Sequence, residues 1–264
     1  MDFLISDEQK QLQDLIHQFI QKDYPFDVRE KLVKTEEGFS KDFWKTFSQF
    51  GLLAMPFSEE DGGFNGGPVD VMIILEAFGT GLIVEPYIPN IVLSGNLVSK
   101  LGSKEQKEAI LPNLLNGDMQ LAFAFSEPQS RFDLNDVTTS AEKDGEGYKL
   151  NGYKSVVMNG PAADKLIVSA RTAGSQLDEN GISLFIVDRD ADGVSLRDYS
   201  NVDGSKASEL TLENVVLPKE ALLGDQDKAF STIEEVVNLA TLAISAEAIG
   251  IMQKMNELTL EYTK

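Results

Sequence analysis

Cysteine is absent from all 264 residues, and histidine occurs once, at His17. The first absence removes disulfides, thiolate metal ligands and cysteine nucleophiles together, and it fits a reducing compartment such as the cytoplasm. The second leaves no imidazole cluster for zinc and no serine–histidine pair, so no metal site is expected. Cations are scarce as well: 23 lysines and arginines stand against 43 acids, a formal net charge of −20. No basic cluster offsets that balance, which excludes nucleic acid as a partner and makes anionic membranes repulsive. The opening residues MDFLISDEQK carry acids where a signal peptide carries a basic region. No uninterrupted apolar run approaches ~18 residues, so no membrane partner is expected. Any chemistry must therefore come from carboxylates, hydroxyls, backbone groups or a borrowed cofactor.

What is present is a change of period along the chain. Ser6 and Gln9 stand in capping-box spacing ahead of Leu12, Leu15, Ile16, Phe19 and Ile20 on one helical face. A second helix runs through Phe43, Trp44 and Phe47 to Gly51, and a third follows Pro68, apolar nearly all round and hence central. A fourth covers roughly Ile88 to Leu101, after which Ser103 and Gln106 repeat the capping box. Residues 1–117 thus read as an all-helical domain. The glycine-rich stretch Asp61–Gly67 lacks the preceding strand and the lysine of a phosphate loop, and reads as a connection.

From Leu121 the residues alternate, and short β-rich runs recur at Tyr148–Leu150, Ser155–Met158, Leu166–Ala170, Leu184–Val187 and Glu209–Leu212. Asp144-Gly145, Asn151-Gly152 and Asp192-Gly193 read as turns between them. Residues 118–224 are expected to form an antiparallel barrel or sandwich, making the chain α+β. Residues 225–264 read as one long helix with a stripe of Phe230, Ile233, Val237, Ala240 and Ile244 that needs a neighbour. It stops in mid-pattern at EYTK without a stop signal, so it is expected to be the opening helix of a truncated bundle.

Four stretches in this order, LLAMPFSEEDGG, LAFAFSEPQSRFD, LNGYKSVVMNGPAADKLIVSART and LTLENVVLPKEALLG, resemble the acyl-CoA dehydrogenase family across the whole chain. SRFDL and the EYTK ending are most similar to the small subunit of heteromeric enzymes of the pimeloyl-CoA type. The resemblance implies bound FAD, α,β-dehydrogenation of an acyl-CoA substrate, and a homologous acyl-CoA dehydrogenase subunit as partner. It also leaves open a catalytically silent subunit that only stabilises an active partner.

Residue by residue, it brings Phe123, Phe125 and Ser126 to the flavin. Arg131 and Phe132 stand where the family has glycine and a pyrophosphate-binding serine; a guanidinium at Arg131 is a substitute phosphate ligand. Val156 and Met158 replace the family's aromatic and hydroxyl beside the ring. Of the two places where the family carries its base, one lies beyond position 264 and the other is occupied by Ala240, followed by Thr241 in place of a substrate-facing arginine. No catalytic residue is therefore assigned. Glu247 reads as a solvated or paired carboxylate, and Glu127 as a structural cap on backbone donors.

Overall fold

The computed structural model describes residues 5–264. Seven α-helices and eight strands follow in the order α1 (Asp7–Asp23), α2 (Phe26–Leu32), α3 (Lys41–Gln49), α4 (Pro68–Gly81), α5 (Asn96–Leu101), α6 (Lys104–Leu115), β1 (Leu121–Ala124), β2 (Ser140–Asp144), β3 (Gly147–Met158), β4 (Lys165–Arg171), β5 (Ile182–Asp188), β6 (Val194–Ser200), β7 (Lys206–Leu217), β8 (Leu222–Leu223) and α7 (Phe230–Tyr262). Both capping boxes form: Ser6 Oγ accepts from the Gln9 amide at 3.2 Å, and Ser103 Oγ from that of Gln106 at 3.2 Å. Gln106 also donates to the carbonyls of Glu220 and Leu222, so one capping residue ties α6 to the exit of the sheet.

The helical half is organised around α4, whose Val71, Ile73, Ile74, Leu75, Ala77 and Phe78 are all buried. Phe47 of α3 stacks on Phe78 at 5.0 Å between ring centroids, and Phe19 of α1 meets Phe47 edge-on at 5.3 Å. Each such ring removed from water contributes on the order of 1.5–3 kcal/mol. The helix expected from Ile88 opens as a π-helix, Ile88–Gly95, before tightening into α5. Inside it Asn90 is fully buried; its Oδ1 accepts from the Leu121 amide and its Nδ2 donates to Gln120 Oε1, both at 2.8 Å. The start of β1 is thereby fastened to the helical layer.

The strands lie in the order β6-β7-β3-β2-β4-β5-β8, with β1 on β4. Pairing is antiparallel along this path except at β2–β4, which meet through one parallel pair, and β1 runs parallel to β4. The expected turn at Asn151-Gly152 is instead the middle of a continuous β3, where a register shift against β7 absorbs the extra residue as a bulge. Asn151 Oδ1 accepts from the Asn214 amide at 2.7 Å, bracing that bulge from the neighbouring strand.

Helix α7 lies along α4 at backbone distance. A Cβ added at Gly250 would come within 1.9 Å of the Glu76 carbonyl, and one at Gly79 within 2.1 Å of that of Glu247. The expected stripe is largely covered within the chain: Ile233 is buried, and Phe230, Val237 and Ala240 pack against the core. Only Ile244 of that set is exposed; the open apolar surface lies further along, at Ile249, Met252, Met255, Leu258 and Leu260. By length and composition α7 is apolar enough to cross a membrane, which a search for uninterrupted apolar runs misses because acids punctuate it.

Candidate functional site: a cofactor cleft and an adjoining cavity

Beyond Ala124 the chain leaves β4 and crosses to β3, where Ser126 forms a lone antiparallel bridge with Val156 and its carbonyl accepts from the Ser155 amide at 2.9 Å. Phe123 and Phe125, two residues apart on an extended chain, share one face and stack at 4.8 Å. A cleft of about 360 Å³ opens there. Phe123, Phe125, Ser126, Arg131, Phe132, Val156 and Met158, the seven residues singled out from the sequence, all line it. Pro89 and Leu93 of the π-helix and Val237 of α7 form its other wall.

The loop carrying Arg131 and Phe132 is held from beneath by Glu127. Its carboxylate accepts from the Thr138 amide at 2.8 Å, the Thr139 amide at 3.1 Å and Gln129 Nε2 at 2.8 Å. This is the backbone-capping role expected of it. The partner not anticipated from the sequence is Lys154, whose ammonium reaches Glu127 Oε1 at 2.7 Å with both side chains fully buried, and which donates to Ser169 Oγ at 3.0 Å. The only sequence signal was a lysine at an inward position of an alternating strand. Burial alone would raise the Glu127 pKa, but the Lys154 charge together with hydrogen bonds from Lys154, Thr138 and Gln129 outweighs it and holds the carboxyl at about 2. Burial pulls Lys154 down to about 8 against the attraction of Glu127, so the pair is ionised at neutral pH.

Arg131 has φ +50°, left-handed backbone that suits glycine better than arginine. Its guanidinium makes no hydrogen bond or ion pair with any described residue, and Phe132 beside it is 97% exposed. The cleft thus offers an apolar floor, a serine hydroxyl and one unengaged cation. Those features fit a planar ring system joined to a phosphate group.

A second cavity, of about 460 Å³, adjoins the first and shares Pro89, Leu93 and Met158 with it. Two acids on its wall carry pKa values pushed up to about 7: Glu85 by burial, and Glu247 by burial and then by Asp203. Glu247, expected from its place on a long acidic helix to be solvated or paired, is instead half-buried in the cavity wall with no hydrogen-bond or ion-pair partner among the described residues.

The described helices and strands match two family models in sequence: acyl-CoA dehydrogenase, N-terminal domain, over residues 6–118, and acyl-CoA dehydrogenase, middle domain, over residues 122–215. A probable acyl-CoA dehydrogenase of Bacillus subtilis is 30% identical over 100% of this chain and 70% of its own length. The chain belongs to the acyl-CoA dehydrogenase family. A 2-methylacyl-CoA dehydrogenase of Solanum tuberosum is 32% identical over 99% of this chain, which spans 64% of that relative. Among solved structures, a steroid ACAD, Tcur3481-Tcur3483, superposes with TM-score 0.83 at 26% identity, covering 97% of this chain and 66% of its own.

Ala240 and Thr241 stand at the two α7 positions where the resemblance places a base and an arginine in some members of the family. Ala240 packs against the core, and Thr241 turns its hydroxyl back to the Val237 carbonyl at 2.8 Å. Neither lines the cleft or the cavity. Arg131, which stands where the resemblance places a glycine, has left-handed backbone of the kind glycine readily adopts.

Proposed function

We propose that the chain is a subunit of an FAD-dependent acyl-CoA dehydrogenase whose active site is completed by a homologous partner chain. The convergence of Phe123, Phe125, Ser126, Arg131, Phe132, Val156 and Met158 on one cleft carries this reading. FAD, when bound, supplies the acceptor for the hydride that leaves the acyl β-carbon while a base removes the α-proton. Phe123 and Phe125 give the ring an apolar face, Ser126 gives it a hydroxyl, and the Arg131 guanidinium neutralises the pyrophosphate. Val237, Leu93 and Met158 exclude water from the reacting carbons, and the adjoining cavity receives the acyl chain.

Among the described residues Asp133 is the one acid that lines the cleft, and it stands in the exposed loop, so the base comes from outside the cleft lining. The exposed apolar half of α7 is the surface on which a partner would dock, and a steroid ACAD solved under a paired name is in keeping with a two-chain enzyme. The missing cysteines suit a cytoplasmic setting.

The loss of the family's aromatic at Val156 and of its hydroxyl at Met158 favours a second reading, a structural subunit that stabilises an active partner without holding flavin. Visible spectra of the chain alone and with its partner test the choice. Flavin absorbance that appears with the chain, and is lost on Ser126→Ala with Arg131→Ala, supports the cofactor role; a complex whose flavin and activity survive both changes supports the structural one. Restoring the family's hydroxyls with Phe132→Ser and Met158→Thr, Arg131 being kept, is expected to tighten FAD binding about tenfold to a hundredfold in a fluorescence titration, the value of a hydrogen bond to a charged group.

A further inference from the structure

The cavity beside the cofactor cleft has a mainly apolar wall, with Leu75 and Phe78 from α4 and Ile244 and Ile251 from α7. Six charged side chains also line it, and five are already engaged. Arg29 donates to the carbonyls of Leu82 and Asp203 at 3.0 and 2.7 Å, and Lys206 to Ser200 Oγ at 2.8 Å. Glu37 pairs with Lys41 at 2.9 Å, and Asp203 accepts from the amide and hydroxyl of Ser205. Glu85 accepts from the Ser40 amide, its other oxygen sealed from solvent beside the Tyr24 hydroxyl. Glu247 alone has no hydrogen bond and no ion pair with any described residue.

We propose that Glu247 determines acyl-chain specificity by accepting a hydrogen bond from a hydroxyl or protonated amine carried on the distal part of the chain. The inference rests on the acyl-thioester reading above. A helix rise of 1.5 Å per residue sets Glu247 roughly 15 Å along α7 from Val237, which lines the cofactor cleft, so it lies too deep to reach the reacting carbons. An unpaired carboxyl in an apolar cavity gains from any donor brought to it and loses when a bare methyl group desolvates it further. Burial, and then repulsion from Asp203, already push Glu247 toward its neutral form. A cationic tail would reverse that, restoring the charge and releasing a proton. Sites built around such a group reject the analogue lacking the donor far more strongly than an apolar pocket rejects one extra methylene.

The test is calorimetric titration of the full chain, with its partner if flavin binds only in the complex. The probes are ω-amino, ω-hydroxy and unsubstituted acyl-CoAs of matched length, six to ten carbons. At one or more lengths the ω-amino compound should bind wild type roughly ten- to hundredfold more tightly than the unsubstituted one. Glu247→Leu should abolish that preference without weakening the unsubstituted ligand, and Glu247→Gln should remove it for the amine while sparing the alcohol. Equal or tighter binding of unsubstituted acyl-CoA at every length in wild type overturns the inference and leaves the acyl-CoA reading intact. A donor preference unmoved by both variants overturns the assignment to Glu247. Failure of every acyl-CoA to bind overturns the acyl-CoA reading, and the inference with it.

Discussion

Two buried charges and one exposed ring set the residue-scale energetics around the cleft at Phe123 and Phe125. Removing Lys154 leaves the Glu127 carboxylate buried without its cation, so Lys154→Met is expected to cost about 3–5 kcal/mol in urea unfolding. The pair also predicts a pH signature. Glu127 ionises near 4.5 when unfolded and at about 2 when folded, so its contribution is fully present above about 4.5 and is lost as pH falls through about 2. Unfolding midpoints measured between pH 6 and pH 2.5 should therefore fall more steeply for wild type than for Glu127→Gln. Phe132→Ser, by contrast, should change stability by less than about 0.5 kcal/mol because the ring is 97% exposed. Equal costs for Phe132→Ser and Lys154→Met would contradict this picture.

Among the elements, the tightest contact is the glycine-mediated approach of α4 and α7. An alanine Cβ at Gly250 would meet backbone, the Glu76 carbonyl oxygen at 1.9 Å and the Thr80 nitrogen at 3.1 Å, so the helices must part; Gly250→Ala is expected to destabilise by about 1–3 kcal/mol despite its better helix propensity. Thermal unfolding that rises on this change would show that the helices do not pack this closely. The elements differ in how far they could be read beforehand. Capping boxes at Ser6 and Ser103 were legible because both partners lie three residues apart. Helix α2 has no buried residue and the edge strand β6 is largely exposed, so neither carries a hydrophobic period to detect. Asn151-Gly152 has turn chemistry, but the ladder with β7 holds the chain extended and turns the pair into a bulge.

At the scale of the whole molecule, the open apolar face of α7 calls for a second surface. Met252, Met255, Leu258 and Leu260 are all more than half exposed, so Met255→Glu with Leu258→Glu should shift sedimentation toward the monomer while circular dichroism stays unchanged. An unchanged sedimentation mass would count against this face, and Val237→Glu is expected to unfold the chain rather than disperse an assembly, because Val237 packs inside. The sequence by itself determined the order of helices, strands and final helix, and it singled out seven residues that line one cleft. Periodicity and the family signatures are local, and local patterns survive in a linear reading. Tertiary structure alone decided that Lys154 pairs with Glu127, that most of the α7 stripe is covered from within, and that Glu247 faces a cavity unpaired. Each depends on which distant backbone comes to lie alongside, and no pattern along a single segment records the neighbour it will meet.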